Sequence, residues 1–368
     1  MRNHLCGTTM WKKTELTTQL NLSLPIIQAP MAGGATIPEL IAAVSNTGVL
    51  GSLAAGYLSP GEIRQAIKKI RELTDAPFAV NLFIPETYHA TPEAIQVACT
   101  AINQSCGELN IEILPIKPPY AEIFEEQIQV VIEERVPVLS YTFGLLDSKW
   151  ISELRKQNTV LIGTATTLAE AQALEASGGV DFIVAQGSEA GGHRGTFIET
   201  VEASLIGLMS LVPQLVEEMS VPIIAAGGIM NGRGIMAALT LGASGVQMGT
   251  AFLSCHESGI TQIYKQTLLN QSQDLTRLTR AFSGKLARGI NNQFIADLDA
   301  KKATILDYPI QNVLTSKMRQ AAKEQNNINF MSLWAGQSAF ACRNMSVDEL
   351  IASLEAEVDA CYQSYYAN

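Results

Sequence analysis

The 368-residue chain is 47% hydrophobic and 16% charged, which is enough apolar material for one large core or two ordinary ones. Its formal net charge of −10 argues against nucleic acid and anionic membrane as partners, so an anionic ligand must be met by local positive charge. Cysteines at 6, 99, 106, 255, 342 and 361 form no C-x-x-C and no zinc spacing with histidine, which predicts no metal site and suits a reducing cytoplasm. Residues 1–24 hold no apolar signal-peptide core, and no run of 18 apolar residues predicts a membrane span.

Short apolar runs alternate with helical patterns in chain order. Strands are predicted at 26–29, 49–52, 78–82, 137–141, 160–164, 182–186, 222–226 and 245–248. Helices are predicted at 38–45, 60–73, 120–134, 148–157, 168–176, 205–219 and 233–241. Ser59-Pro60 and Asn231-Gly232 read as helix starts. Eight such repeats predict an α/β protein, a closed (β/α)8 TIM barrel. Residues 85–119 make a long third connection. Residues 251 to about 340 read as mostly helical and irregular, which predicts a substrate lid at the catalytic face. Val347, Leu350, Ile351, Leu354 and Val358 then repeat at helical spacing, as the eighth barrel helix. The expected division is a barrel of residues 1–255 and 341–368, with a lid of residues 256–340.

Barrel active sites form at the C-terminal ends of the strands. The sixth strand runs into A-Q-G-S-E-A-G-G-H-R-G at 185–195, a glycine loop around one imidazole, His193. His193 is the candidate catalytic residue. Ser188 has no local His/Asp partner, which sets a hydrolase aside, and Glu189 reads as a loop acceptor. Gly227-Gly228 and Gly249-Thr250 follow the seventh and eighth strands, where barrels of this kind hold phosphate. The alternative is that these glycines only make tight turns. Gln28, Asn81, Gln186 and Gln247 offer amides suited to a flavin or nucleobase edge. Met31 and Met248 would pack on a flat ring or serve as core methionines. Ala29, Pro30, Gly163, Gly191 and Gly192 complete the expected cofactor rim.

These motifs carry a resemblance. The glycine loop, with Q-A-P-M-A-G (28–33) and Q-M-G-T (247–250), resembles the nitronate monooxygenase family, formerly the 2-nitropropane dioxygenases. S-G-K-L-A-R-G (283–289) and W-A-G-Q (334–337) resemble further motifs of its class I members. The resemblance runs from about residue 24 to the C-terminus. It implies a barrel binding FMN non-covalently, with Asn81, Gln186, Gly191, Gly228 and Gln247 to Thr250 at flavin-contacting positions and His193 catalytic. It implies oxidation of alkyl nitronates by O2 to a carbonyl compound and nitrite, without nicotinamide, and detoxification of propionate 3-nitronate. Three positions depart from the pattern: Thr142 stands where many members have histidine, Lys285 where arginine is usual, and Ser338 where glycine is usual.

The substrate is then a small anion, and at least one of Arg194, Lys285 and Arg288 is expected to face it, the alternative being that all three are surface charges or flavin-phosphate ligands. On a helix, Lys285 and Arg288 would share a face. No G-x-G-x-x-G fingerprint follows a strand, so FMN is expected rather than a dinucleotide. The rival readings are an NAD(P)H-dependent FMN reductase on the same scaffold, acting on a quinone or an enoyl-acyl-carrier protein, and a non-catalytic flavin or phosphate sensor.

Overall fold

Parallel strands buried on both faces are written as unbroken apolar runs, and all eight expected strands form. They span Ile26–Gln28, Gly51–Ala54, Phe78–Phe83, Val138–Thr142, Val160–Ala165, Phe182–Gln186, Ile223–Ala226 and Gly245–Met248. Each pairs in parallel with its neighbours, from the first through the eighth, seventh and onward to the second. A bridge between Ile27 and Leu50 joins the first strand to the edge of the second, closing a TIM-like barrel. The computed structural model describes residues 10–300 and 305–366, so Cys6 lies outside the described residues.

The helix starts follow the expected chemistry. Ser59 caps Pro60–Leu73 in a reciprocal box: its hydroxyl accepts from Glu62 N at 3.3 Å, and Glu62 Oε2 accepts from Ser59 N at 2.8 Å. Asn231 Oδ1 accepts from Gly234 N at 3.0 Å to open Gly232–Thr240. The last helix, Val347–Tyr366, lies on that one, and a Cβ on Gly232 would come within 2.5 Å of Val358 N.

The barrel interior explains where the site must be. Inward residues alternate along each strand. At the floor they are apolar: Ala79, Val138, Ile162 and Val184, plugged by Leu16 and Leu20 of the helix Glu15–Leu20. Two residues further on the same faces turn polar: Asn81, Ser140, Thr164 and Gln186. The apolar floor gives stability and the polar mouth is left for a ligand.

The two excursions from the repeat share a second core. Ile95, Cys99, Ile102 and Leu109 of the third connection pack with Leu268, Phe282, Phe294, Leu314 and Met318 of the insertion. The third connection carries its own helix, Pro92–Ser105. The insertion is less helical than expected. Its helices Gln262–Leu269, Gln293–Asp299, Ile310–Leu314 and Ser316–Glu324 flank a hairpin of Thr276–Thr279 and Ala287–Ile290. The second hairpin strand pairs with Gly192–His193, so its partner is a distant loop and no local periodicity marks it. Among the described residues, no helix is long and apolar enough to cross a membrane.

Candidate active site

A cavity of about 360 Å³ opens at the C-terminal mouth of the barrel, within the range of small-molecule sites. Most of the expected rim lines it: Ala29, Pro30 and Met31 from the first strand, Asn81 from the third, and Gln186, Gly191 and Gly192 from the sixth and its loop. Gly227, Gly228, Gln247, Met248, Gly249 and Thr250 line it from the seventh and eighth strands. Gly163 does not. A Cβ there would meet Leu174 and Val180 in the helix layer, because alternation turns its neighbour Thr164 inward instead. Gln28 is also withdrawn, its Oε1 accepting from Ser52 N at 3.0 Å to tie the first two strands.

The glycine loop is fixed from both sides. Gln186 uses both ends of its amide: Nε2 donates to His193 O at 3.0 Å, and Oε1 accepts from Gly195 N at 2.8 Å. The W-A-G-Q segment docks on the other side, where a Cβ on Gly191 would stand 2.5 Å from the Ala335 and Gly336 backbone. Gly336 N donates to Thr250 Oγ1 at 3.0 Å, which leaves the threonine hydrogen free for the cavity. Gly227 and Gly228 hold φ of +135° and +67°, a turn that a side chain would strain. Gly192, Gly33 and Gly34 have nothing within 4 Å where a Cβ would be, so backbone faces open space there. Glycine-rich turns after the last two strands, one free hydroxyl and the amides of Asn81 and Gln247 are the donor set a flavin phosphate and ring edge require.

His193 lines the same cavity, ringed by Phe143, Tyr308 and Trp334 at centroid distances of 6.3, 6.3 and 5.4 Å. Its Nε2 lies 2.8 Å from Ser283 Oγ. Ser283 in turn donates to the Lys285 carbonyl at 3.1 Å. A carbonyl has no hydrogen to give, so the serine's one hydrogen is spent there. His193 Nε2 is therefore the donor, and Nδ1 keeps its lone pair, an assignment made from the hydrogen-bond pattern. Burial, then the positive charges of Lys285 and Arg319, push the imidazolium down to about 3. The ring is neutral across the working pH range.

The three expected substrate cations are placed otherwise. Arg194 is buried, donating from Nη1 to Gly187 O at 2.7 Å and Gln186 Oε1 at 3.2 Å, and from Nη2 to Ser204 O. Arg288 donates to Ser188 O at 3.1 Å and Thr276 Oγ1 at 3.1 Å. Lys285 pairs with Glu86 at 2.7 Å and sits 4.3 Å above the Phe143 ring. None of the three lines the cavity. Lys285 and Arg288 are on a turn and a strand, so the shared helical face does not exist. Their partners come from distant loops that the local sequence does not reveal.

Other residues take the places left open. Phe143 reaches the cavity at φ +80°, a conformation that side chains rarely hold, wedged 4.9 Å from Phe83 and under Lys285. Thr142 Oγ1 lies 3.5 Å from Thr164 Oγ1, a hydroxyl pair where the resemblance has an imidazole. Tyr57 and Arg319 also line the cavity, and no sequence signal marks either.

A family profile described as nitronate monooxygenase matches residues 14–357. The chain belongs to the nitronate monooxygenase family. It is 46% identical over 343 residues to a probable nitronate monooxygenase of Staphylococcus saprophyticus, covering 93% of this chain and 96% of that one. A second relative, from Staphylococcus haemolyticus, is 44% identical over 95% of this chain and 98% of its own length. Among solved structures, nitroalkane oxidase from Streptomyces ansochromogenes superposes with a TM-score of 0.87 at 39% identity, covering 95% of this chain and 99% of that one. FabK from Thermotoga maritima superposes with a TM-score of 0.75 at 28% identity over 96% and 99%. The chain is thus a flavin-dependent oxidoreductase, a nitronate monooxygenase, and a nitronate and O2 are its substrates.

Proposed function

We propose that the chain binds FMN and oxidises small carboxylated nitronates, propionate 3-nitronate among them, to a carbonyl compound and nitrite in a detoxifying role. The observation that carries this reading is one cavity joining the glycine turns after the last two strands to a half-buried, neutral His193. Gly227, Gly228, Gly249 and Thr250 would hold the phosphate, and Asn81 and Gln247 the ring edge. When bound, a flavin held there would supply the redox chemistry between the nitronate and O2. The protein's residues bind, orient and shield. A nitronate is already an anion, so His193 need remove no proton from carbon; with its Nε2 hydrogen given to Ser283, it orients the substrate by contact rather than by donating a hydrogen bond. A neutral nitroalkane would use the Nδ1 lone pair as its base. Trp334, Phe143 and Tyr308 keep that end of the site dry, and residues 256–340 act as the substrate-binding cover over the barrel mouth. Buried free thiols at Cys99, Cys106 and Cys255 support a reducing, cytoplasmic setting.

The likeness to FabK keeps an NAD(P)H-dependent FMN reductase as the second reading. One anaerobic experiment separates the two. The yellow protein is mixed with propionate 3-nitronate, and separately with NADH and NADPH, while flavin absorbance is followed. Bleaching by the nitronate alone supports the proposal; bleaching only by a nicotinamide overturns it. Heat-released pigment should run as FMN, and a stoichiometric FAD peak would refute the phosphate-site argument.

A further inference from the structure

We propose that Arg319, assisted by the phenol of Tyr57, is the anion receptor of the substrate pocket, holding a carboxylate of the substrate while the nitronate lies against His193. The proposal rests on the nitronate reading above.

The cations around this site differ in whether they have a carboxylate partner and in whether they reach the cavity. Lys285 has Glu86 at 2.7 Å. Arg194 and Arg288 are consumed by carbonyls and hydroxyls outside the cavity wall. Arg319 is different. It stands on the helix Ser316–Glu324 and lines the cavity. Its Nε donates to Thr315 Oγ1 at 3.3 Å, and Nη2 donates to Asn312 O at 2.7 Å and Asn312 Oδ1 at 2.9 Å. These acceptors are neutral and lie on the preceding turn. They aim the guanidinium without cancelling its charge. Among the described residues no carboxylate lies within 4 Å of it, and Nη1 makes no hydrogen bond. A half-buried cation facing a cavity of ligand size lacks a partner that an anion would supply.

A second observation points into the same space. Tyr57 lines the cavity, and its Oη is buried without a well-formed hydrogen bond, with the Tyr308 phenol as its neighbour. A phenol and a guanidinium lining one cavity are two donors available to one carboxylate. Arg319, Tyr57 and His193 line the same cavity, and the Arg319 charge acts on both of the others. Lys323, one helical turn further on, is exposed at the rim and adds positive potential at the entrance of a chain whose net charge is −10. A carboxylate on the substrate gives Arg319 a partner; a plain alkyl nitronate has no such group to offer.

The test uses the flavin-loaded protein and the variants Arg319→Met, Arg319→Lys and Tyr57→Phe. KM and kcat are measured for propionate 3-nitronate and for propyl nitronate, which lacks the carboxylate. Arg319→Met should raise KM for the carboxylated substrate at least tenfold more than for the plain one, with kcat little changed and flavin content intact. Arg319→Lys should recover part of the loss, and Tyr57→Phe should give a smaller change in the same direction. Equal changes for both substrates would overturn the proposal, as would loss of flavin from Arg319→Met, which would make Arg319 a cofactor ligand. If the unmodified protein oxidises neither nitronate, the proposed function fails instead. Arg319 is then read by titrating glutarate against the flavin absorbance, where unchanged affinity in Arg319→Met overturns the receptor.

Discussion

Ser283→Ala isolates the tautomer argument. Ser283 is buried, and its hydroxyl accepts from His193 Nε2 at 2.8 Å while donating to the Lys285 carbonyl at 3.1 Å. Alanine removes both bonds and leaves the imidazole N–H without a partner in a dry site. An unsatisfied buried donor costs about 1–3 kcal/mol. The ring can escape that cost by moving its proton to Nδ1 or by rotating, and either change withdraws the lone pair from the substrate side. Loss of a correctly placed base nitrogen should then lower kcat/KM for a neutral nitroalkane by roughly 5- to 150-fold, the same range converted to rate. The nitronate of the same compound needs no proton removed and should fall only a few-fold. The assay is steady-state kcat/KM for nitroethane and ethyl nitronate, with flavin content checked by absorbance. Equal losses on both forms would make Ser283 a packing residue. No loss on either would show that the serine does not set the imidazole.

His193→Ala should follow the same pattern more strongly, losing about 10²–10⁴-fold on the nitroalkane and less on the nitronate; equal losses in paired kinetics would leave His193 an orienting residue only. Burial, Lys285 and Arg319 hold its imidazolium down to about 3, so nitronate kcat/KM should show no acid limb between pH 5 and 7 from this group. A limb near pH 6.5 that vanishes in His193→Ala would contradict that environment. Glu170 is fully buried, and burial raises its carboxyl, but bonds from Thr166, Thr196 and Phe197 outweigh that and hold it below the usual range. Its folded pKa is lowered, so its stabilisation is present above the unfolded carboxylate pKa and lost as pH falls through the folded one. Glu170→Gln should cost on the order of 3 kcal/mol at pH 7 and flatten the acid side of a thermal-unfolding pH series. An unchanged acid profile would show that this carboxylate does not carry the effect.

How far the sequence reached depended on whether a feature is local. The eight strands were legible because strands covered on both faces must be apolar throughout, and the mouth was legible because barrel sites lie where strands end. Glycines 191, 192, 227 and 228 announced themselves because only that residue tolerates those turns and approaches. Gly163 misled for a physical reason. One residue along a strand reverses the face, and a three-residue uncertainty in boundaries cannot tell Gly163 from Thr164. The floor plug was invisible because E-L-T-T-Q-L is too short and too polar to advertise Leu16 and Leu20, which matter only against the barrel floor.

The cations show the deeper limit. Sequence identifies a positive side chain but not what neutralises it, and neutralisation decides whether it can bind substrate. Lys285 is drawn to Glu86, 199 positions away, and Arg288 to Ser188, 100 away. Arg319 lies in S-K-M-R-Q-A-A-K-E, a segment that reads as an ordinary solvated helix face. What makes it different is that it lines the cavity, on a helix packed into the second core. The scaffold therefore fixes where an anion can be read, and the insertion fixes which charge reads it. Substrate range in this chain should accordingly be altered by substitutions on the helix Ser316–Glu324 rather than by changes at Arg194, Lys285 or Arg288, whose loss should first unsettle the glycine loop and its hairpin.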